Sequence, residues 1–307
     1  MKKRNYTNII LLVFIITSIG KAQDKDKNEM TPIGSETFGV IREFFNYDKD
    51  IPLDARTVDS ISEANYVREK IVFNGNRDSR VPGYLAIPKN GNAPYPCVLQ
   101  LHGIISSKEE WWKEGSFSSG EKLTQELIDA GFAVLALDAE YHGERLSNND
   151  YESAGVFTFQ KGWLQRTRDM IVQTAIEYRR AIDYLSIRSE IDTSRIGIVG
   201  YSMGGMMTFI LAAIDPRIKV SVACVTPILK DKYSTINVFN FAPYITSQQF
   251  LMLMGLNDEF NYSKDDAEQL GSLIKSKTKE ILFYKSGHKL PSEWTKKAHD
   301  WIEKYLK

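Results

Sequence analysis

A chain of the α/β class, with a mostly parallel sheet covered by helices on both faces, is predicted by three features of the sequence. Short runs of continuous apolar residues recur along it, as in "PCVLQLHG" (96–103), "FAVLALD" (132–138), "IKVSVACV" (218–225) and "QQFLMLMG" (248–255). Amphipathic stretches with a helical period separate these runs. Glycines such as Gly131 and Gly200 mark the changes from one pattern to the other. Strands that read as unbroken apolar runs are buried on both faces, which is how parallel sheets flanked by helices are built.

Residues 24–64 are polar and weakly patterned, with "EFFNYDKDIPLDAR" as their one apolar cluster, and read as an extension packed on the main domain. From 66 onward "NYVREKIVFNG" and "VPGYLAIP" form strands around the polar turn "NGNRDSR", an antiparallel hairpin leading into the sheet. The run at 96–103 is the next strand. "EKLTQELIDAG" is an amphipathic helix that stops at Gly131, and the run at 132–138 follows it. "MIVQTAIEYRRAIDYLSIR" places Ile171, Thr174, Ala175, Tyr178, Ile182 and Leu185 on one helical face. Strand "RIGIVGYS", helix "GGMMTFILAAI", the strands at 218–225 and 248–255, a helix at about 263–277 and strand "EILFYK" come next. The last helix, "SEWTKKAHDWIEKYL", carries Trp294, Ala298, Trp301, Ile302 and Tyr305 on one stripe. Two connections, 143–168 and 226–247, are long enough to act as lids or to rest on their own aromatics.

Composition narrows the function. Lys plus Arg and Asp plus Glu both number 39, so no excess of positive charge points to nucleic acid. The chain opens with Lys2, Lys3 and Arg4, then "IILLVFIITSIG", then small residues and a polar stretch. That is the layout of a cleavable signal over 1–22, with periplasmic or secreted localisation and no stable membrane insertion once it is removed. The apolar run falls short of the roughly 20 residues that span a bilayer, although an uncleaved anchor is the alternative. The remaining organisation is an extension over 23–65 and a catalytic domain over 66–307. Cys97 and Cys224 fall two strands apart and toward opposite sheet ends, too far for a disulfide, and read as small buried residues.

In open sheets of this kind, ligands bind beyond the carboxyl ends of the strands. Strand 195–201 ends in Gly200-Tyr201-Ser202-Met203-Gly204, a G-x-S-x-G pentapeptide at a strand-to-helix junction. A serine held on so sharp a turn adopts a strained backbone, and neighbours carrying a Cβ collide, hence the glycines. The N–H of Met203, the residue after the serine, is then one donor for an oxyanion.

The pentapeptide, "DTSRIGIVGYSMGG" (192–205), "LQLHG" (99–103), "LALDAEYHGER" (135–145) and "FNFAPYITSQQFLMLMGLNDEF" (239–260) together resemble the α/β-hydrolase superfamily. Within it the chain is most similar to dienelactone-hydrolase-like and prolyl-oligopeptidase-like serine esterases, over about 66–307. It departs from dienelactone hydrolases in having Ser202 where they use a cysteine, and no propeller like that of prolyl oligopeptidases is seen. The resemblance implies an eight-stranded-type sheet and the chain order serine, acid, histidine. Of His102, His142, His288 and His299, order leaves the last two. His288, in the loop "SGHKL" after a strand, is preferred over His299, which lies mid-helix. The family's G-x-x-D spacing after Gly255 selects Asp258 as the acid, with Glu259 and the pair Asp265/Asp266 as alternatives. By the same resemblance Ile104 supplies the second oxyanion N–H, His102 holds its turn, and Asp138 and His142 are fixed in a turn that shapes the pocket. Trp111 and Trp112 are candidates for the pocket wall.

The expected activity is hydrolysis of a carboxylic ester, of acetyl or short-acyl type, through Ser202, His288, Asp258 and an acyl-enzyme. A serine peptidase or amidase is the alternative, and a non-catalytic binding protein of this fold a more distant one. The expected ligand is a small-molecule, carbohydrate or lipid ester, with no nucleic acid partner and no cofactor. A metal at His102, His142 and Asp138 is not expected, since no ligand pair has the close spacing of zinc hydrolases. Oligomeric state is left open by the sequence.

Overall fold

The computed structural model describes residues 30–76, 79–246, 248–258 and 261–307, so the expected signal at 1–22 lies outside the described residues. Residues Thr31–Lys307 form one compact unit. Its elements are α1 (Ser35–Glu43), β1 (Arg56–Ser62), β2 (Tyr66–Asn74), β3 (Arg80–Pro88), β4 (Tyr95–Leu101), α2 (Gly120–Asp129), β5 (Ala133–Leu137) and α3 (Leu164–Ser186). They continue as β6 (Ile191–Tyr201), α4 (Met203–Ile214), β7 (Ile218–Cys224), the short α5 (Val238–Phe241), β8 (Gln249–Gly255), α6 (Lys264–Leu273), β9 (Lys279–Tyr284) and α7 (Trp294–Leu306).

Among the described residues nine strands form one sheet, in the order β1-β2-β3-β5-β4-β6-β7-β8-β9. Strands β4 to β9 pair parallel, while β1, β2 and β3 run antiparallel and β3 joins the parallel part through β5. Strands β4 and β5 are buried at every position, as their unbroken apolar runs require. One face carries α2 and α7, whose Leu123, Leu127, Trp294, Ala298 and Ile302 join Val98, Val134, Val199 and Val222 in a core. Side chains alternate across a strand, so Gly200 faces the other way. There a Cβ would collide with Gly204 O and lie 2.5 Å from Thr208 Oγ1, which places α4 against that second face. Gly131, at φ +84°, ends α2 in the left-handed region that glycine adopts without strain.

The sheet begins earlier than the boundary expected at 66. Strand β1 is exposed along its whole length, so it carries no apolar alternation for a sequence reading to find. It is a polar ninth strand on the outer edge of β2–β9, interrupted by an irregularity between Thr57 and Asp59. The segment before it is also built into the fold. Phe38 stacks on Tyr244 with ring centroids 3.6 Å apart, and Phe45 sits edge-on to Phe241 at 5.6 Å. Arg180, 1% exposed, donates from Nε to Asn74 O at 2.9 Å, from Nη1 to Asp48 O at 3.2 Å and from Nη2 to Ile51 O at 2.9 Å. This is why α3 is buried well beyond the single stripe its periodicity predicts.

Both cysteines are buried and free, Cys97 on β4 and Cys224 on β7 with β6 between them. Among the described residues no helix is long and apolar enough to cross a membrane.

Replacing Arg180 with methionine keeps the apolar stem but leaves three carbonyls without their donor. The unfolding free energy from urea titration is expected to fall by about 3 kcal/mol or more. A loss below about 1 kcal/mol would show that water already serves these carbonyls and that Arg180 does not tie the 48–51 segment to α3.

Candidate active site

Ile104, Ser202, Asp258 and His288 each follow the carboxyl end of a parallel strand. Strand β6 lies between β4 and β7 and ends in Ser202, whose backbone takes φ 59°, ψ −117°. Such a conformation costs on the order of 1–3 kcal/mol in a residue with a side chain. It is held by Ser202 N donating to Cys224 O at 2.9 Å and by Met206 N donating to Ser202 O at 3.1 Å. The flanking glycines are there for space: a Cβ on Gly204 would collide with Leu101 O, and one on Gly205 would lie 2.7 Å from Cys224 O. The helix therefore starts in backbone contact with two strands, and Met203 is its first residue.

The structure brings Ser202, His288 and Asp258 together. His288 Nε2 is 2.9 Å from Ser202 Oγ, and His288 Nδ1 is 2.6 Å from Asp258 Oδ2. With the Nδ1 proton donated to the carboxylate, Nε2 is the acceptor for the serine hydroxyl. Ser202 and Asp258 are 9% and 4% exposed, whereas the His288 side chain is 30% exposed and open to a ligand. The loops carrying Asp258 and His288 are laced together by Leu256 N to Tyr284 O and Asn257 N to Ser286 O, both 2.9 Å. A Cβ on Gly255 would collide with Gly287 O, so these loops meet only because that position is glycine.

Two residues that the sequence reading missed complete this arrangement. Asn261 Nδ2 donates to Asp258 Oδ1 at 2.7 Å, holding the oxygen that His288 leaves free. Tyr201 donates its hydroxyl to His288 O at 2.8 Å and accepts from Leu290 N at 2.9 Å. Burial pushes the Tyr201 phenol up, so it stays neutral. The signal for Tyr201 was present, since it precedes the serine in the pentapeptide. Asn261 lies in an irregular turn with no periodicity to mark it.

The other candidates separate. His299 is on α7, partnered by Asp300 at 3.3 Å. Glu259 lies outside the described residues. Asp266 accepts from Ser263 N at 3.1 Å in a capping box at the start of α6, and Asp265 occupies the first turn of the same helix. Trp111 is fully buried and Trp112 packs against Tyr66 and Tyr84, so neither lines the cavities at Ser202, contrary to expectation. Both lie on the α2 side of the sheet, where Trp111 belongs to the core.

Ile104 follows β4, and its N–H shares a peptide group with Gly103 O. That oxygen accepts from His102 Nδ1 at 2.8 Å and from Ser106 N at 3.1 Å. In a trans peptide the C=O and N–H point opposite ways, so anchoring Gly103 O fixes the direction of the Ile104 N–H. Ala139 N donates to His102 Nε2 at 3.1 Å, which assigns the other proton to Nδ1. Burial, and then the neighbouring His142, push the His102 pKa down to about 3, so the ring is neutral. His142 has Nε2 2.7 Å from Ile104 O and Nδ1 2.8 Å from Glu140 O, and burial lowers its pKa as well. Behind them Asp138 accepts from Lys108 N and Glu144 N at 3.0 Å and pairs with Lys108 Nζ at 2.7 Å. Burial opposes charge on Lys108, yet Asp138 and Glu144 outweigh it and raise its pKa. Every ring nitrogen of His102 and His142 thus faces a backbone partner, and the turn after β5 braces the Ile104 loop without lining the cavities.

Ser202 opens into two cavities, one of about 400 Å³ and one of about 320 Å³. Ile104, Phe159 and Asn261 line both. The first continues along Phe117, Tyr201 and His288. The second runs past Met203 and Met206 toward Leu164, Leu229 and Ile236. Phe159 and Leu164 come from 143–168, and Leu229 and Ile236 from 226–247, so both long connections contribute walls.

The fold, with helix α4 launched from a serine in a left-handed turn, is that of an α/β-hydrolase. Acetyl xylan esterase 1 from Thermoanaerobacterium sp. JW/SL YS485 superposes with a TM-score of 0.69 at 18% identity, over 89% of this chain and 95% of that one. The model of the acetyl xylan esterase (AXE1) family matches residues 40–265, and the chain belongs to that family. Among curated proteins, YtaP of Bacillus subtilis (strain 168) is 29% identical over 175 residues, 56% of each chain. Acetyl esterase Axe7A of Xylanibacter ruminicola is 26% identical over 160 residues, 48% of this chain and 33% of its own. The chain thus spans about half or less of the length of these relatives. The family match includes Ser202 and Asp258 and ends before His288.

Two buried neutral histidines make stability depend on pH. Their folded pKa values lie below the unfolded value of about 6.5, so the unfolded chain binds more protons at mildly acidic pH. The stabilisation is complete above that value and drains away as pH falls toward about 3 for His102. Between pH 6 and 5, unfolding free energy is expected to drop by on the order of 1 kcal/mol through His102, with His142 adding to the loss in the same direction. His102→Asn should flatten that slope, and an unchanged slope would mean that His102 is not held neutral.

Proposed function

We propose that the chain is a carboxylic ester hydrolase in which Ser202 is the nucleophile, His288 the general base and acid, and Asp258 the carboxylate that orients and stabilises it. The chain of contacts from Ser202 Oγ through His288 to Asp258, with the serine fixed in a strained turn, is the observation that supports this most.

The hydroxyl attacks the ester carbonyl as His288 Nε2 takes its proton. Asp258, accepting from Nδ1, stabilises the imidazolium that forms. The negative oxygen is received by the N–H groups of Met203 and Ile104. Met203 opens α4, whose first N–H groups have no acceptor within the helix and whose positive end favours negative charge. His288 then passes the proton to the departing alcohol, and water releases the acid from the acyl-enzyme by the same steps. The alcohol leaves on the His288 side, where Phe117 and Tyr201 supply aromatic rings and Ser106, Glu110 and Ser118 supply polar groups. Such a surface suits a carbohydrate or an aromatic alcohol. The family's description and that of Axe7A point to acetyl esters of sugars as the first substrates to assay. The basic residues and apolar run within 1–22 support export of the chain.

Hydrolysis of p-nitrophenyl acetate, of an acetylated oligosaccharide and of aminoacyl nitroanilides tests this. Ser202→Ala is expected to lower ester kcat by at least about a thousandfold and to abolish labelling by a fluorophosphonate. Asp258→Asn should lower kcat by on the order of 10³ to 10⁴, because the amide favours the wrong imidazole tautomer. Ester turnover surviving in Ser202→Ala would overturn the assignment, and faster turnover of the anilides would make the chain an amidase.

A further inference from the structure

The cavity that runs from Ser202 past Met203 and Met206 has no part in the steps just derived. We propose that it is the acyl site and that it takes chains well beyond acetyl, to roughly six to eight carbons. The inference rests on the ester-hydrolase reading and goes past the acetyl esters for which the family is named.

The assignment of the two cavities follows from proton transfer. A departing alkoxide must lie within hydrogen-bond reach of the group that protonates it. His288 lines the larger cavity and not the smaller one, so the alcohol belongs in the larger. The oxyanion is directed at Met203 and Ile104, and the remaining substituent of the tetrahedral carbon, the acyl chain, is left with the smaller cavity. Phe159 and Ile104 stand between the two and keep the substituents apart.

Size and lining then set the chemistry. The acyl cavity is about 320 Å³ and is walled by Leu164, Ile171, Met203, Met206, Leu229 and Ile236. An apolar cavity of about 150 Å³ holds a benzene ring, so an acetyl group of two carbons leaves most of this space unfilled, whereas roughly six to eight carbons occupy it with its mouth still open. Unfilled apolar wall forfeits dispersion contacts, and each buried methylene improves transfer from water by about a factor of four. The wall also carries Arg168 and Asp231, whose ion pair at 2.6 Å ties α3 to the loop after β7. A chain long enough to meet that pair gains nothing further, so the profile passes through a maximum.

The test is kcat/KM for p-nitrophenyl acetate, butyrate, hexanoate, octanoate and dodecanoate, with wild type, Ile236→Trp and Leu164→Trp. Leu164 is 56% exposed, so its replacement does not disturb the core. Wild type is expected to prefer hexanoate or octanoate to acetate by at least about tenfold. Ile236→Trp is expected to lower the hexanoate-to-acetate ratio at least about tenfold, and Leu164→Trp to lower it in the same direction. The ratio within one preparation does not depend on the fraction of protein folded. A wild type fastest on acetate, or a ratio unmoved in both variants, overturns the acyl assignment while Ser202 labelling by a fluorophosphonate shows that the hydrolase reading stands. Variants that change discrimination among acetate esters of different alcohols would place the alcohol there instead. Absence of all ester turnover together with absence of labelling overturns the hydrolase reading, and this inference with it.

Discussion

The close approach of α4 to the ends of β4 and β7 governs the rest of this structure. Three glycines admit it, and at Gly204 and Gly205 the obstacle to any larger residue is backbone, which cannot rotate aside. Because the helix begins this close to the sheet, the residue joining it to β6 has no room for ordinary dihedrals and Ser202 is driven to φ 59°. The strain of about 1–3 kcal/mol is offset by the large buried sheet around it. What the strain secures is a hydroxyl that borders both cavities at the head of a helix, beside N–H groups that have no acceptor within that helix. The proposed nucleophile and the proposed anion site are thus two consequences of one steric constraint.

Once Ser202 is fixed, the remaining groups have to be delivered to it by separate loops, and the structure does this with backbone hydrogen bonds more than with side-chain pairs. The Asp258 and His288 loops bond to each other, and Tyr201 bonds to the His288 loop from the residue next to the serine. The Ile104 loop is held from behind by His102 and His142, which in turn rest on the turn braced by Asp138 and Lys108. A buried Lys–Asp pair is a poor source of net stability, because desolvation offsets most of its attraction. It is a good source of fixed geometry, since any alternative position for either partner leaves a charge unpaired out of water. The polar cluster behind Ile104 is best understood as positioning.

The central architecture was legible because its strands are covered on both faces and so read as unbroken apolar runs. The serine turn was legible because steric demand writes itself as glycine at fixed spacing. The resemblance's chain order set aside His102 and His142, and position at a strand end rather than mid-helix singled out His288, which the structure puts beside Ser202 and Asp258. Strand β1 was hidden for the opposite reason. An edge strand exposed on both faces has no hydrophobic period, and what holds it is main-chain pairing with β2, which any sequence can supply. The segment around α1 was obscure because part of its attachment is made by Arg180 reaching the backbone carbonyls of Asp48 and Ile51, an interaction with no signature in the residues being held. Trp111 and Trp112 misled because a pair of large aromatics near a strand end looks like a pocket wall, when their contacts are with α2 and the β2–β3 hairpin.

The same contrast explains why chemistry and specificity differ in how far sequence reveals them. Chemistry depends on a few atoms at strand ends, where chain order and local spacing constrain position strongly. Specificity depends on cavity walls that draw on two long connections, 143–168 and 226–247, whose elements are short 3₁₀ and π-helical segments, a four-residue helix and the first residues of α3. Phe159 sits in one π-helical turn and is 51% exposed, a position that neither helical nor strand periodicity could have singled out. Yet it stands at the border of both cavities and, in the proposed reading, bears on which part of an ester lies on which side of Ser202. The contacts among Ser202, His288 and Asp258 are therefore anchored at the ends of the rigid sheet, whereas the cavity walls come largely from loops that can change without disturbing those three residues.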